Sequence, residues 1–460
     1  MANKSIIVIG GGISGLSVLH FLKKKYASQT DISIQLLEKS SQPGGTIKTV
    51  VHREGLFECG PNGFLDSKEI TLQLIRDIGL ESSLIAANSQ AKKRFLFIKN
   101  RLHEIPTDWL SLLKFKPLPF FDKLRLPLEI FVSRGDNPDE SVYDFGARRF
   151  GENFANVFLD PLVSGIYAGN VKKLHFKSVF PKIFELEQKY GSVLKGFFRS
   201  RRCAANGSSA DAVTPLGAGR LVSFPQGMAQ LTNRLFQLFK DSILLNQEVQ
   251  LIAQSQDQFV IHASERVHHA DEIFLCVPAH SGAAMLNASH PALAAELNKI
   301  SYAPVAVVGL VYRRGSFDQL PQGFGYLTPR SQNRPALGVV FDSQIFAGRV
   351  DEHHELFRVM IGGTGYPEVI RKTEEELTAL AREEISTVLP LRKEESPVET
   401  FVVVWPRAVP QYNIDDISAR VTIAMEANKI NNFHIVSNFL GGVSLNDCIA
   451  TAQTAVEQLF

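Results

Sequence analysis

The sequence predicts an α/β chain built on a Rossmann-like dinucleotide-binding unit that is discontinuous along the chain, with a helical region and a mixed-sheet region inserted between its parts. Three observations predict it. A β-branched run, Ile6 to Ile9, leads through the turn Gly10 to Gly12 into a helix whose apolar face carries Leu16, Leu19, Phe21 and Leu22. A second strand-like stretch, Ile32 to Lys39, contains Glu38, about twenty residues beyond the last glycine of the first motif. Strand patterns return at Ser242 to Ile252 and again at Phe433 to Ser437, so the unit draws on distant parts of the chain.

The first motif is taken up by Gly10, Gly12 and Gly15, which fill G-x-G-x-x-G. One glycine serves the tight turn, one lets backbone approach a pyrophosphate, and one lets the helix lie close on its strand. The helix begins at Ile13 and Ser14, and its unpaired N–H groups and positive dipole end favour an anion. Glycine turns also serve bare chain geometry, so the pattern alone is weak. Glu38 strengthens it: a carboxylate there accepts hydrogen bonds from ribose hydroxyls and repels a ribose phosphate, which suits FAD or NAD better than NADP. The plain alternative for Glu38 is a solvated charge at a strand end.

Composition narrows the class. With 460 residues, 45% of them hydrophobic, the chain holds two or three domains and a large core. A net charge of +2 does not point to nucleic acid. Four cysteines, Cys59, Cys203, Cys276 and Cys448, stand far apart without a C-x-x-C, so neither a disulfide framework nor a zinc site is expected and a reducing cytoplasm is the simple reading. No basic region precedes the first apolar run, so no signal peptide is expected, and no uninterrupted apolar segment is long enough to span a bilayer. None of the twelve histidines sits in a metal-ligand or triad pattern: His268 and His269 are strand neighbours facing opposite ways, and His353 and His354 fall in a charged loop. No metal is expected and no residue is assigned as a catalytic base.

The sequence after Glu38 separates FAD from NAD. Lys39 is followed by the glycine pair Gly44-Gly45 and then Thr46, where flavoproteins of the glutathione-reductase type bring backbone close to the cofactor. Leu56 to Phe64 follows, a Gly/Pro turn containing Gly60, Pro61 and Asn62. These first sixty or so residues resemble the flavin-containing amine oxidase superfamily, and the Gly60-Pro61 turn resembles its protoporphyrinogen oxidase branch. Four further segments resemble that branch in the expected order: Asp160 to Asn170, Phe224 to Met228, Trp405 to Tyr412, and Asn438 to Ile449. The chain is similar to the HemY-type protoporphyrinogen or coproporphyrinogen oxidases.

The resemblance implies a non-covalently bound FAD. Its dinucleotide part would lie on Gly10, Gly12, Ile13, Ser14, Gly15, Glu38 and Lys39, with Val249 meeting adenine through its backbone. Gly44, Gly45, Gly60, Pro61, Asn62 and Trp405 would follow the cofactor toward its ring. Gly442, Val443 and Ser444 would stand at the pyrimidine edge, where a helix N-terminus stabilises the anionic reduced flavin. Gly165, Ala168 and Gly169 would line the substrate side near N5, and Leu327, Val340 and Met360 would sandwich the macrocycle. The implied reaction is FAD-dependent oxidation of protoporphyrinogen IX or coproporphyrinogen III in haem biosynthesis, with oxygen as acceptor.

Two departures stand out. Where several family members place an arginine that pairs with a substrate propionate, this chain has Asn62, which mildly favours the substrate with two propionates over the one with four unless Arg94 or Arg330 compensates. Thr46 stands where many superfamily members carry an arginine. A flavin amine oxidase or carotenoid desaturase would share the terminal motifs without the Val163 to Asn170 and Trp405 to Tyr412 segments. A non-catalytic flavin-binding protein would share them all.

The expected organisation is residues 1–88, 205–300 and 425–460 for FAD, 89–204 for a helical subdomain, and 301–424 for a substrate-binding sheet. Within the helical stretch, Trp109 to Val132 mixes large apolar residues with Lys114, Lys116, Lys123 and Arg125, the composition of a peripheral contact with the inner face of a membrane. Its plain alternative is an ordinary helical subdomain with surface lysines. From Arg199, Arg201 and Arg202 to about Asp211 the chain reads as a Gly/Ser/Ala-rich linker. A homodimer and a hand-over of product to the next enzyme of the haem pathway are left open.

Overall fold

The computed structural model describes residues 4–205, 219–255, 258–392 and 395–459. The strands used below are, in chain order, β1 (Lys4–Ile9), β2 (Ile32–Leu37), β3 (Arg94–Ile98), β4 (Arg101–Glu104), β5 (Ile243–Leu244), β6 (Glu272–Leu275), β7 (Tyr302–Arg313), β8 (Gly325–Leu327), β9 (Ala336–Val340), β10 (His354–Gly362), β11 (Glu399–Pro410) and β12 (Phe433–Ile435). The helices are α1 (Ile13–Lys25), α2 (Asp160–Tyr167), α3 (Glu374–Val388) and α4 (Leu445–Glu457).

Five strands form a parallel sheet in the order β5-β2-β1-β6-β12. Its members come from residues 4 to 435, which is the discontinuity the sequence predicts. Both faces are covered, so β1 runs apolar and buried from Ile6 to Ile9 rather than alternating. Ile6 and Val8 pack with Leu16, Leu19 and Leu22 of α1 and Ile449 and Val456 of α4. Ile7 and Ile9 pack on the other side with Ile273, Leu275, Ile252 and Ile261. The last two belong to a three-stranded antiparallel layer, Val249–Ser255, Gln258–Ala263 and Arg266–Ala270.

A seven-stranded sheet in the order β11-β7-β10-β9-β8-β3-β4 makes the second layer. Register separates its two faces. Phe95, Tyr326, Val339, Val359 and Val308 form one transverse row and bury against Leu377, Ala381 and Ile385 of α3. The neighbouring row, Leu96, Leu327, Gly338, Met360, Val307 and Val403, therefore looks the opposite way.

Three segments differ from expectation. Residues 89–204 are not helical throughout, because β3 and β4 form a hairpin on the large sheet. Phe95, Leu96 and Phe97 are all buried, and such a run carries no period that distinguishes a strand from a helix. Ser242 to Ile252 is two strands, broken at Asn246, whose φ is +55°. The expected linker begins as the end of a helix, Val193–Ala205, and from residue 206 to about Asp211 it lies outside the described residues. Between β4 and residue 205, short helices gather round Arg149, which is 0% exposed. Its guanidinium donates to Glu129, Glu187 and the Val132 and Gly191 carbonyls. Among the described residues, no helix is long and apolar enough to cross a membrane.

Candidate functional site

The first corner of the site forms where β1 enters α1. Gly10 has φ +103°, and a Cβ there would stand 2.6 Å from the Cys276 carbonyl oxygen. A Cβ on Gly15 would lie 1.9 Å from the Gly10 oxygen, so only glycine lets α1 sit this close to its strand. Gly12 is different: it caps α1 in extended conformation, without a side-chain hydrogen bond, and a Cβ there would meet nothing within 4 Å. The Gly44-Gly45 turn closes on this space. Gly12 and Gly44 form a parallel bridge, and Gly44 N donates to Gly11 O at 2.8 Å.

Glu38 completes this corner. Its Oε2 accepts from Gly11 N at 2.6 Å and its Oε1 from Ser40 N at 2.8 Å, leaving further lone pairs for a diol. Lys39 beside it is exposed. Glu38 and Leu244 are linked by backbone, as are Glu38 and Gln247, which brings the buried Val249 to the same end of the sheet. The spacing did not single out Gly11, although a Cβ there would stand 2.9 Å from the Glu38 carboxylate. A pattern of glycines reveals the turn but not the side chain it faces.

The second corner lies where β11 ends and α4 begins. Ser444 caps α4, its Oγ accepting from Asp447 N at 3.1 Å and donating to Asp447 Oδ2 at 2.6 Å. Gly442, with φ +107°, donates its N–H to the Tyr412 hydroxyl at 3.0 Å, which in turn donates to Asn438 O. Burial pushes the Tyr412 phenol above its ordinary range, so it stays a neutral donor. Val443 packs against the helical cluster that holds Val163 and Tyr167. Because α4 packs on α1, the starts of the two helices share one end of the parallel sheet.

Between these corners, the seven-stranded sheet turns an apolar face toward α2. Leu327 and Met360 stand in one row, and Val340 in the next row of the same face, two residues beyond Gly338. Ala168 packs on this face with Val305, Val307, Met360 and Trp405. Gly165 is exposed, and a Cβ there would be 2.6 Å from Leu327 Cδ2. Ala168 ends α2 in left-handed conformation, φ +50°, a cost of about 1–2 kcal/mol for a residue with a Cβ. The Thr364 N–H donating to its carbonyl at 2.8 Å helps hold it there. Gly169 is fixed from below by Gln411, whose Nε2 donates to Tyr167 O and whose Oε1 would stand 2.6 Å from a Cβ on Gly169.

Trp405 ties this face to the glycine-proline turn, its Nε1 donating to Cys59 O at 2.8 Å. Arg358 does the same from β10: Nη1 donates to Glu58 O at 3.1 Å and Gly60 O at 2.8 Å, while Nε lies 3.1 Å from Asp342 Oδ2. Asn62 Nδ2 donates to Asp342 Oδ1 at 2.8 Å, so part of the amide expected to face a substrate carboxylate is engaged within the protein. Burial pushes the Asp342 carboxyl up, against the opposing pull of Arg358, Arg349 and Asn62. Burial also raises Glu58, opposed by hydrogen bonds from Thr49 and Met228 and by Arg349 and Arg358. Arg349, Arg358 and Asp342 were invisible to sequence reasoning, since nothing local in the chain marks a buried ion network.

The sequence-designated residues therefore fall into three adjoining groups: Gly10, Gly12, Ile13, Ser14, Gly15, Glu38, Lys39, Gly44, Gly45 and Val249 at the first corner, Gly442, Val443 and Ser444 at the second, and the remainder round the apolar face. Thr46 is exposed. Burial pushes the Cys448 thiol up to about 11, with Ser14 partly opposing it, so it is inert as a nucleophile. Separately, Glu54, Asp351 and His354 bring ligand atoms within 4.8 Å of one another. His354 Nδ1 is already hydrogen-bonded to Asp351 Oδ1 at 2.8 Å.

Open space at Gly12, uncapped N–H groups at α1 and a paired carboxylate acceptor at Glu38 fit the pyrophosphate and ribose of a dinucleotide. The comparisons agree. Protoporphyrinogen oxidase of Bos taurus is 30% identical, covering 99% of this chain and 98% of that one. Chloroplastic protoporphyrinogen oxidase of Nicotiana tabacum is 28% identical over 100% of this chain and 86% of its own. Coproporphyrinogen III oxidase of Bacillus subtilis is 25% identical, covering 98% and 97%. A crystal structure from Exiguobacterium sp. 255-15, provisionally named a protoporphyrinogen oxidase, shares the fold with a TM-score of 0.82 at 21% identity, over 99% of this chain and 98% of that one. A model of the flavin containing amine oxidoreductases matches residues 13–460, and the chain belongs to that family as an FAD-dependent oxidoreductase.

Proposed function

We propose that this chain oxidises a porphyrinogen, protoporphyrinogen IX to protoporphyrin IX or coproporphyrinogen III to coproporphyrin III, with oxygen as acceptor, in haem biosynthesis. The observation that carries the reading is the apolar face of Leu327, Val340, Met360 and Trp405, on which Ala168 packs and to which Gly165 comes close without a side chain, beside the dinucleotide corner. The relatives named above act on such substrates by name.

When bound, FAD supplies a hydride acceptor at N5 for a meso carbon of the tetrapyrrole while a pyrrole N–H loses its proton, and repeated rounds with tautomerisation give the aromatic porphyrin. The residues' part is orientation and exclusion of water. Gly10, Gly12 and Gly15 hold the pyrophosphate end, Glu38 the ribose, and Val249 the adenine. Gly60 and Pro61, fixed by Arg358 and Trp405, hold the middle of the cofactor, and Ser444 with Gly442 and Val443 meets the pyrimidine edge. Gly165, Ala168 and Gly169 keep the approach to N5 free of side-chain bulk, and Leu327, Val340 and Met360 press the macrocycle flat. Arg94, exposed and without an ion pair among the described residues, is a cation for a propionate.

On this reading residues 1–88, 205–300 and 425–460 hold FAD, 301–424 supplies the substrate floor, and 89–204 supplies substrate entry and a peripheral membrane contact. Supporting the contact, Phe121 is 83% and Phe131 78% exposed, and Trp109, Leu110, Phe120, Leu124 and Leu128 are exposed beside Lys114, Lys116 and Arg125. Lys123 is buried and does not contribute.

The test is to purify the protein, record its flavin spectrum, and add each porphyrinogen in parallel, following flavin bleaching without oxygen and porphyrin fluorescence in air. Bleaching with either substrate supports the reading. Bound flavin that neither substrate reduces rejects it and turns attention to amines, carotenoids or a non-catalytic binding role.

A further inference from the structure

Which porphyrinogen fits is written at the two ends of the short strand β8. Arg94 pairs with Gly325 at its start, in a row continuing through Val340 and Arg358, so it leaves the sheet on the apolar face already described. Its Cζ stands 5.2 Å over the Phe324 ring. Arg330 lies three residues beyond the other end of β8, and five residues of extended chain place it at most about 18 Å from Gly325, the residue across from Arg94.

Arg330 is built into the site. Its backbone N–H donates to Asp160 Oδ2 at 2.8 Å, which anchors it to the first turn of α2. Nη2 donates to Gly169 O at 2.9 Å and to the Thr364 hydroxyl, the residue that also holds Ala168. A Cβ at Gly365 would stand 3.7–3.8 Å from Cζ, Nη1 and Nη2, so the guanidinium lies flat on that turn.

Its charge is under-compensated. Nε is buried without a hydrogen-bond partner, Nη1 makes no hydrogen bond among the described residues, and the Asp160 carboxylate is 3.8 Å away. Burial lowers its pKa, with Asp160 only partly opposing. An incoming carboxylate would restore what desolvation removes.

Resting on the reading proposed above, the geometry points to Arg330 as a specificity-determining residue that receives a substrate carboxylate at the end of the floor away from Arg94. Protoporphyrinogen IX carries propionates on two adjacent rings, one edge of the macrocycle. Coproporphyrinogen III carries them on all four rings, so both edges are charged. A floor with a guanidinium at each end fits the tetracarboxylate, in contrast to the leaning that Asn62 alone gives.

The experiment measures kcat and KM for coproporphyrinogen III and protoporphyrinogen IX with wild-type holoenzyme, R330Q and R330K, each checked for flavin content. Wild type is expected to show the higher kcat/KM with coproporphyrinogen. R330Q is expected to raise KM for coproporphyrinogen about tenfold or more while moving KM for protoporphyrinogen less than about twofold, with R330K between and kcat nearly unchanged. Equal effects on both substrates, no effect, or a wild-type preference for protoporphyrinogen overturns the assignment while leaving porphyrinogen oxidation standing. The wild-type preference decides the matter should R330Q fail to fold. Failure of wild type with both substrates removes the parent reading and this inference with it.

Discussion

Two glycines three residues apart should respond to alanine in opposite ways, and the contrast tests the assignment of the first corner. Gly12 has φ −70° and ψ 178°, a conformation open to any residue, and its Cβ direction is empty to 4 Å. In the apoprotein, Gly12→Ala should be neutral or stabilising by about 0.4–1 kcal/mol, because alanine restricts the unfolded chain more than glycine does. With cofactor the sign reverses. The new methyl occupies the space that a pyrophosphate needs in order to reach the N–H groups at the start of α1. Losing two charge-assisted hydrogen bonds at about 1.5–3 kcal/mol each is about 3–6 kcal/mol, more than 100-fold in affinity.

Gly15→Ala has no such freedom: its Cβ would lie 1.9 Å from the Gly10 oxygen, so α1 must move off β1 and the apoprotein itself should lose stability. The assay is thermal melting of both apoproteins together with FAD titration followed by fluorescence quenching. G12A that binds FAD as wild type does refutes the placement of the dinucleotide on this turn, and G15A that melts as wild type does refutes the close approach of α1 to β1.

Trp405→Phe keeps the apolar surface but orphans the Cys59 carbonyl; it should slow flavin reduction severalfold in single-turnover measurements and cost about 1–3 kcal/mol of stability. Arg149→Met leaves Glu129 buried without its cation and Glu187 with Arg148 alone, and should destabilise by about 3–5 kcal/mol, read in urea melts. Burial pushes the Glu187 carboxyl up, but Arg148 and Arg149 outweigh it and hold it below its ordinary value. Its contribution is therefore full above the unfolded pKa and is lost as pH falls through the folded one, so the difference between R149M and wild type should narrow in acid. Phe121→Glu combined with Phe131→Glu should abolish flotation with anionic liposomes while leaving flavin content and melting temperature unchanged; retained flotation would refute the membrane contact.

The glycine motif, Glu38, the second glycine pair and the α4 start were legible because each is local: a turn, a strand end or a helix cap writes its geometry into a few neighbouring residues. The apolar runs Val305 to Tyr312, Leu356 to Ile361 and Thr400 to Val404 lie within β7, β10 and β11, and Leu337 to Phe341 runs one residue past β9, whereas the short β8 carries no such run. What escaped notice was the long-range chemistry. Arg358 meets the Glu58 and Gly60 carbonyls across some three hundred positions of sequence, and no periodicity records such a partner. β3 was absorbed into a helical stretch because Phe95 to Phe97 are buried on both sides, which erases alternation. Asn62 was read by its type, as a donor for a substrate; its type could not tell that Asp342 already draws on it.

The parallel sheet also dictates when the protein becomes able to hold its cofactor. β1 is hydrogen-bonded to β6, more than 260 positions downstream, and β6 to β12, more than 150 further on. During synthesis the glycine turn leaves the ribosome early and its strand soon has β2 on one side, yet its other edge waits for β6 through more than 260 additions, while α4, which packs against α1, is made later still. Loop closure over such distances precedes any gain from pairing, so nascent chains shorter than about residue 435 carry a glycine turn without a finished cradle. Cofactor capture is thereby coupled to completion of the sheet, and a fragment released before β12 should emerge colourless.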